Sequence, residues 1–344
     1  MHSKDEPRPA VPRMRACVLE HAGEALRMRE RPALAPAPGE LHLSVQACGV
    51  CRTDLHIVDG ELHGTPLPRV PGHEIVGRVL ALGAGVSGWQ VGDRAGVPWL
   101  AWTCGDCEPC RRGDENLCAR ARFTGLHVDG GFATEVVADA RFVVTLPDHY
   151  SDEQAAPLLC AGLIGWRALK AAGPAPRLGL YGFGAAAHII AQLARSRGQE
   201  CYAFVRPGDA AAAAFALSLG AVWAAGSDER PARLLDAAII FAPVGALVPL
   251  ALRAVRPGGI VVCAGIHMSE IPAFPYEILW GERSLRSVAN LTRRDAHEFL
   301  QVAAQTNLRV TTVCYALADA NQALSDLRAG RLSGAAVLRP SLDP

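Results

Sequence analysis

The sequence predicts an α/β protein in two parts, a strand-rich unit followed by a doubly wound parallel sheet. Three observations predict it. At 344 residues, the chain is longer than one hydrophobic core usually supports. Its first 160 residues carry short apolar runs punctuated by proline and glycine, the mark of irregular strands. From residue 178 onward, apolar strands alternate with helical stretches, the pattern of a sheet covered on both faces.

Composition narrows the function classes. Half of the residues are hydrophobic and a fifth are charged, enough to bury a sizeable core. The 34 basic residues balance 34 acidic ones, so no long-range field draws the chain to nucleic acid or to anionic lipid. No apolar run approaches the roughly 20 residues of a membrane span. The expected partner is therefore a small molecule, with no nucleic acid and no membrane. Eleven cysteines and no export leader make the cytoplasm the expected compartment, where thiolates stay reduced and serve metals.

Taken in order, residues 1–13 are polar and hold three prolines, so a frayed arm is expected. Arg15–Leu19 and Glu40–Gln46 read as strands, with Cys17 a small core residue. In Cys48-Gly-Val-Cys51-Arg-Thr-Asp54-Leu-His56 the paired cysteines are either a redox dithiol or a source of metal ligands. The strand-rich run before them favours the ligand reading, because redox pairs open a helix in a βαβ setting. Pro71-Gly-His73-Glu74 then presents an imidazole and a carboxylate at a glycine-bearing loop.

Cys104-Gly-Asp-Cys107-Glu-Pro-Cys110, followed by Cys118, brings four sulfurs together on short turns. Four soft ligands at about 2.3 Å suit one tetrahedral Zn²⁺ in a structural role. Disulfides are the other reading, but such frameworks belong to short secreted chains. Cys160 follows at the junction of the two halves.

The second half opens with Leu178-Gly-Leu-Tyr-Gly182-Phe-Gly184-Ala-Ala-Ala187, an apolar strand, a tight turn and the start of a helix. In that context Gly182, Gly184 and Ala187 match the looser dinucleotide fingerprint, whose glycines admit a pyrophosphate at a helix N-terminus. Glu200–Val205, 237–241 and 259–264 read as further strands, and 210–219 as a helix capped by Asp209. Arg256-Pro-Gly-Gly259 reads as a turn, and Thr292 as the N-cap of a helix with Asp295 in its first turn.

These motifs stand in a family's order. Cys51-Arg-Thr-Asp54-Leu-His56, Gly72-His73-Glu74, Val91-Gly92-Asp93-Arg94, the cysteine quartet, the Pro157–Gly162 turn and the Gly182-Phe-Gly184 loop together resemble the zinc-dependent medium-chain alcohol dehydrogenases. The resemblance covers nearly the whole chain after residue 14. It implies a GroES-like catalytic domain of residues 1–160 and 300–344 around a Rossmann domain of residues 161–299. It implies two zinc ions per chain, a catalytic one on Cys51, His73 and Cys160 and a structural one on Cys104, Cys107, Cys110 and Cys118. By the same match Cys48 is no ligand.

Further roles follow from the resemblance. Glu74 comes to the metal during ligand exchange, Asp54 orients His73, Thr53 takes the proton of the bound alcohol, and His56 passes it outward. Arg52 reaches the cofactor's pyrophosphate, Ile266 lies near the nicotinamide, and Trp99 and Leu126 line the substrate pocket with Thr53. Trp99 as plain core is the competing reading. The expected activity is reversible oxidation of primary alcohols to aldehydes with NAD(P), with a cinnamyl-type aldehyde reductase or polyol dehydrogenase as alternatives. Relatives are dimers or tetramers, so a homo-oligomer is expected.

The chain departs from the family in three places. The carboxylate that usually binds the ribose 2′-hydroxyl of NAD is replaced by Val205, followed by Arg206, which tilts the expectation to NADP. Arg206 stacking on adenine or facing solvent are the other readings. Gly334-Ala-Ala stands where relatives carry Gly-Arg-Val, implying weaker hold on cofactor or more reliance on Arg52. Ala185 and Ala187 replace glycines over the phosphates and are expected to narrow that space.

Overall fold

A computed structural model describes residues 13–62 and 64–342. The expected frayed arm lies outside them except for Arg13, which is already in a strand, paired opposite Pro32.

Six parallel strands form one sheet, in the spatial order Trp223–Gly226, Glu200–Val205, Arg177–Tyr181, Leu235–Ile240, Val255–Cys263 and Ser284–Ser287. Numbered along the chain this is the 3-2-1-4-5-6 order of the Rossmann fold, which reverses between Arg177–Tyr181 and Leu235–Ile240. Leu235–Ile240 is buried at every residue, as a central parallel strand covered on both faces must be. The turn expected at residues 256–259 falls within the strand Val255–Cys263, as an excursion that pairs with no residue of Leu235–Ile240. The irregularity is absorbed there by a register shift opposite Leu235 and Ala237 and by Gly258 at φ 72°.

The helices Ala161–Ala172 and Ala185–Ser196 cross closely because Gly165 has no side chain; a Cβ there would sit 2.3 Å from Ile190. The helix Arg293–Gln305 begins as expected, with Thr292 and Asp295 forming a reciprocal capping box.

The second sheet joins chain segments far apart in sequence. Its order is Thr312–Ala316, Ala335–Arg339, Glu40–Val50, Glu74–Leu82, Arg94–Val97 and Val144–Thr145, with Glu135–Asp139 also on Glu40–Val50. The C-terminal strands thus close on the N-terminal unit. Pairing of Gly49 with Glu74 sets the register that matters most, since it brings the His73 loop back beside Cys51. Among the described residues, no helix is long and apolar enough to cross a membrane.

Candidate active site and metal centres

The site is built on the start of the helix Arg52–Val58. Cys51 is its N-cap, its Sγ accepting from the Thr53 N–H at 3.3 Å, while the Cys51 N–H donates to Asp54 Oδ2 at 2.9 Å. This is a capping box with a thiol in place of the usual hydroxyl, and it fixes where the sulfur points. The other oxygen of Asp54 accepts from the Gly72 N–H at 3.0 Å, and so draws the His73 loop onto the helix. Gly72 turns at φ 97°, where a side chain would also strike Phe132. His73 Nδ1 lies 3.3 Å from Asp54 Oδ1, off the line of a hydrogen bond, and Nε2 lies 3.0 Å from Cys51 Sγ.

Cys160 arrives from the other end of the unit, at the N-cap of the helix Ala161–Ala172. Donor atoms of Cys51, His73, Glu74 and Cys160 all lie within 4.8 Å of one another. Glu74 fits because its strand partner is Gly49; a Cβ at that position would lie 1.8 Å from Glu74 Oε2.

Burial and crowding set the charge state. Burial pushes the Cys51 thiol up, but contact with Cys160 and with the His73 imidazole outweighs it and holds Cys51 well below the usual thiol range. Cys160 is pushed well up by its contact with Cys51 and then by burial. Burial drives the Glu74 carboxyl well above the carboxylate range, reinforced by the Cys51 charge.

The donor set fits zinc. Two half-buried sulfurs and a buried imidazole converge, and the buried Glu74 Oε1 has no hydrogen-bond partner. With Glu74 the group offers four donors, enough to close a tetrahedral site, and any one of them withdrawn would leave a position for a further ligand. The Cys104, Cys107, Cys110 and Cys118 sulfurs also lie within 4.8 Å of one another. Cys104 Sγ is 3.8 Å from Cys110 and 3.5 Å from Cys118. Ligands about 2.3 Å from a tetrahedral ion stand ~3.8 Å apart, whereas disulfide sulfurs stand about 2.05 Å apart. All eleven cysteines are free thiols. Burial pushes Cys118 up, but hydrogen bonds from the Cys104 and Arg120 backbone draw it down to about 7, ready to ionise for a metal.

The remaining sequence-derived residues fall as follows. Thr53 is buried two residues after Cys51, and His56 is buried with its Nδ1 paired to Glu61. Trp99 is buried, packs edge-on to His73 with ring centres 4.7 Å apart and stacks on Phe123 at 5.1 Å, so it is core beside the ligand imidazole. Leu126 is buried and Ile266 is exposed. Gly182 takes φ 86° and a Cβ there would sit 2.9 Å from the Ala242 nitrogen, so glycine is required. Gly184 faces open space as N-cap of the helix Ala185–Ser196.

Ala187 is fully buried on the inner face of that helix, away from the space over the phosphates that it was expected to narrow, while Ala185 is half-buried at the helix start. Val205 ends its strand, and Arg206 follows in the next loop. The Arg52 guanidinium is held below its ordinary value first by burial and next by the like charge of Arg206. Sequence reasoning missed Glu61, His267 and the Glu115–Arg293 pair. Only the Asp59-Gly60 turn before Glu61 offered a signal.

The chain was compared with known proteins. Residues 37–148 match the alcohol dehydrogenase GroES-like domain. A probable alcohol dehydrogenase, AdhA of Mycobacterium tuberculosis, is 50% identical over 314 residues, covering 88% of this chain and 89% of the relative. The chain belongs to the zinc-dependent medium-chain alcohol dehydrogenases. Two solved structures of similar proteins carry the likeness into three dimensions. A cinnamyl alcohol dehydrogenase of Sorghum bicolor is 25% identical with a TM-score of 0.89, over 97% of this chain and 99% of that one. The cobalt- and zinc-bound alcohol dehydrogenase of Pyrobaculum aerophilum is 26% identical with a TM-score of 0.87, over 96% and 100%. In this medium-chain alcohol dehydrogenase both candidate zinc sites are preformed by side chains alone.

Proposed function

We propose that the chain oxidises primary alcohols, short to medium-chain or aromatic, reversibly to aldehydes by hydride exchange with NAD(P). The observation that carries this is the meeting of Cys51, His73 and Cys160, remote in sequence, within 4.8 Å beside the buried Thr53. Bound zinc supplies Lewis acidity that lowers the pKa of an alcohol hydroxyl, and NAD(P) supplies the hydride acceptor. Thr53 takes the hydroxyl proton, His56 passes it outward, Asp54 fixes His73, and Glu74 assists ligand exchange. The capping box and the burial of these side chains support those roles.

The pocket wall of Trp99, with Phe123 stacked behind it, and Leu126 favours apolar substrates over polyols, whose hydroxyls would be left unpaired. The like charge of Arg206 acts on Arg52, and a Cβ added at Gly330 would lie 3.6 Å from the Arg206 guanidinium. Two adjacent guanidiniums favour a pyrophosphate and a 2′-phosphate together, hence NADP over NAD. Ala335 and Ala336 are buried strand residues, which leaves the phosphate contact to Arg52. The division into residues 1–160 with 300–344 and 161–299 is supported by the C-terminal strands of the second sheet, of which Ala335–Arg339 pairs with Glu40–Val50. Homo-oligomeric assembly and a cytoplasmic site, consistent with eleven free thiols, belong to the same reading.

The test is a scan of alcohols and aldehydes with both cofactors, following absorbance of the reduced form. Ethanol, butanol and benzyl alcohol should exceed sorbitol in kcat/KM, and a sorbitol preference would overturn the assignment. A strong NAD preference would overturn the Arg206 role. The stacked Trp99 and Phe123 rings favour a second reading, a cinnamyl-type aldehyde reductase, which predicts cinnamaldehyde well above butanal.

A further inference from the structure

The helix that follows the Gly182-Phe-Gly184 loop is fastened to the other part of the chain by two of its own side chains. His188 and Gln192 stand four residues apart on the helix Ala185–Ser196, so they share one face. That face meets residues 309–311, the segment that carries the chain from the helix Arg293–Gln305 into the strand Thr312–Ala316 of the second sheet. Gln192 takes both backbone groups of one residue there. Its Oε1 accepts from the Arg309 N–H at 2.8 Å, and its Nε2 donates to the Arg309 carbonyl at 3.0 Å. A side-chain amide thus supplies what a neighbouring strand would. The second Nε2 proton goes back to the His188 carbonyl at 2.8 Å, which fixes the way the amide faces. His188 Nε2 accepts from the Thr311 N–H at 3.4 Å.

The groups around this clasp are held as firmly. Tyr150, from the first part of the chain, accepts from the Leu308 N–H at 3.2 Å and lies 2.8 Å from the Thr306 carbonyl. Leu308 and Val310 are buried. On the nucleotide side, Phe215 meets both the His188 ring and Phe183 of the glycine loop, with ring centres 6.0 and 6.1 Å apart. The glycine loop, its helix and residues 309–311 therefore pack as one unit.

Placement across that boundary matters to the reaction. Gly184, where a pyrophosphate is expected, is the N-cap of the clasped helix, whereas Arg52 and the Cys51–His73–Cys160 cluster belong to the other part. A dinucleotide held on one has to present its far end to the other. Misplacing reacting groups by roughly 1 Å costs about a hundredfold in rate.

We propose that Gln192, with His188, is a positioning residue for the cofactor, setting the phosphate-binding helix against the catalytic part so that one dinucleotide spans Gly184 and Arg52. The inference rests on reading the chain as NAD(P)-dependent. Binding to the zinc-loaded protein, read from the fluorescence of NADPH and NADH without alcohol, tests both. A wild type that binds neither sinks that reading itself.

Gln192→Ala should weaken the dinucleotide roughly tenfold. Adenosine 2′,5′-bisphosphate, which lacks the nicotinamide end, should displace it from variant and wild type equally well. Unchanged dinucleotide affinity overturns the inference, and so does an equal loss of both ligands, which marks a helix merely disturbed in place. Because the clasp grips backbone, Arg309→Ala should be silent while Arg309→Pro, which removes the donor N–H, should repeat the loss. A silent Arg309→Pro or a damaging Arg309→Ala overturns it. At saturating cofactor, kcat should fall in Gln192→Ala with the alcohol KM kept, since the zinc ligands are untouched. Amide exchange gives a readout without any ligand. The Arg309 N–H should be protected in the wild type and exchange faster in Gln192→Ala, and equal protection in the two would show that the amide holds nothing.

Discussion

Arg293 holds both carboxylate oxygens of Glu115, with Nη2 to Oε2 at 2.7 Å and Nε to Oε1 at 3.1 Å. The Arg293 backbone N–H donates to the same Oε1 at 2.7 Å. Glu115 lies between Cys110 and Cys118, and Arg293 opens the helix Arg293–Gln305. The cysteine lobe is thus fastened to a helix N-terminus, where the dipole also favours an anion. Asn116 adds a bond to the Ala289 carbonyl at 2.6 Å.

Glu115→Gln should therefore lower stability by about 1–3 kcal/mol, since Glu115 is buried and its bonds are charge-assisted. The lobe should also surrender its zinc faster to a chelator. Urea unfolding and the rate of zinc release to a colorimetric chelator read both effects. An unchanged release rate would mean that the lobe stands without its anchor.

Metal content separates the two centres. The wild type should hold about two zinc ions per chain, and Cys51→Ser and Cys104→Ser about one each. Activity should vanish in Cys51→Ser, while Cys104→Ser should lose mainly melting temperature. Elemental analysis beside a thermal melt decides it. Full turnover in Cys51→Ser would remove that residue from the catalytic set.

Asp54 holds three neighbours at once: the Cys51 N–H, the Gly72 N–H and the His73 ring. Asp54→Asn keeps the shape but loses the charge beside the imidazole. Zinc affinity or kcat/KM should fall roughly 10- to 100-fold, the usual effect of losing a ligand's orienting partner. Competition with a chelator and steady-state kinetics measure the two. A variant equal to the wild type in both would show that His73 needs no orienter.

His188 gives a pH signature. Burial depresses its imidazole to about 4, and its Nδ1 has no hydrogen-bond partner. The unfolded chain binds a proton near pH 6.5, the folded chain only near 4, so between these values the unfolded state holds more protons. Stability contributed by neutral His188 is therefore present above about pH 6.5 and lost as pH falls toward 4, by about 3 kcal/mol in all. His188→Leu should flatten that part of the profile, as measured by urea unfolding from pH 7 to 4. Parallel profiles for the two proteins would refute the burial cost.

Several features of this molecule were legible because they depend on neighbours in sequence. The cysteine quartet spans 15 residues, and the Gly182–Ala187 loop is bracketed by its own strand and helix. Thr292 and Asp295 cap a helix within one turn. Arg256–Gly259 also turns as its residues predict: the register jumps from Val255 opposite Leu235 to Ile260 opposite Ala237, so these four residues leave the ladder although they fall within the strand Val255–Cys263. The misreading came from the opposite case. Ala187 was read from its loop position, whereas its burial depends on how the helix packs on the sheet.

By itself, the sequence determined the kinds of ligand present, the short turns that group four of them, and the order of strands and helices, because each follows from contacts within a few residues. Tertiary structure alone decided that residues 51, 73 and 160 share one point, through a capping box, the Gly49–Glu74 register and a helix start over a hundred residues away. It also decided that Glu61 closes over His56 from one side while His267 covers the other. Such meetings depend on how two sheets and their helices pack, and no local spacing encodes that.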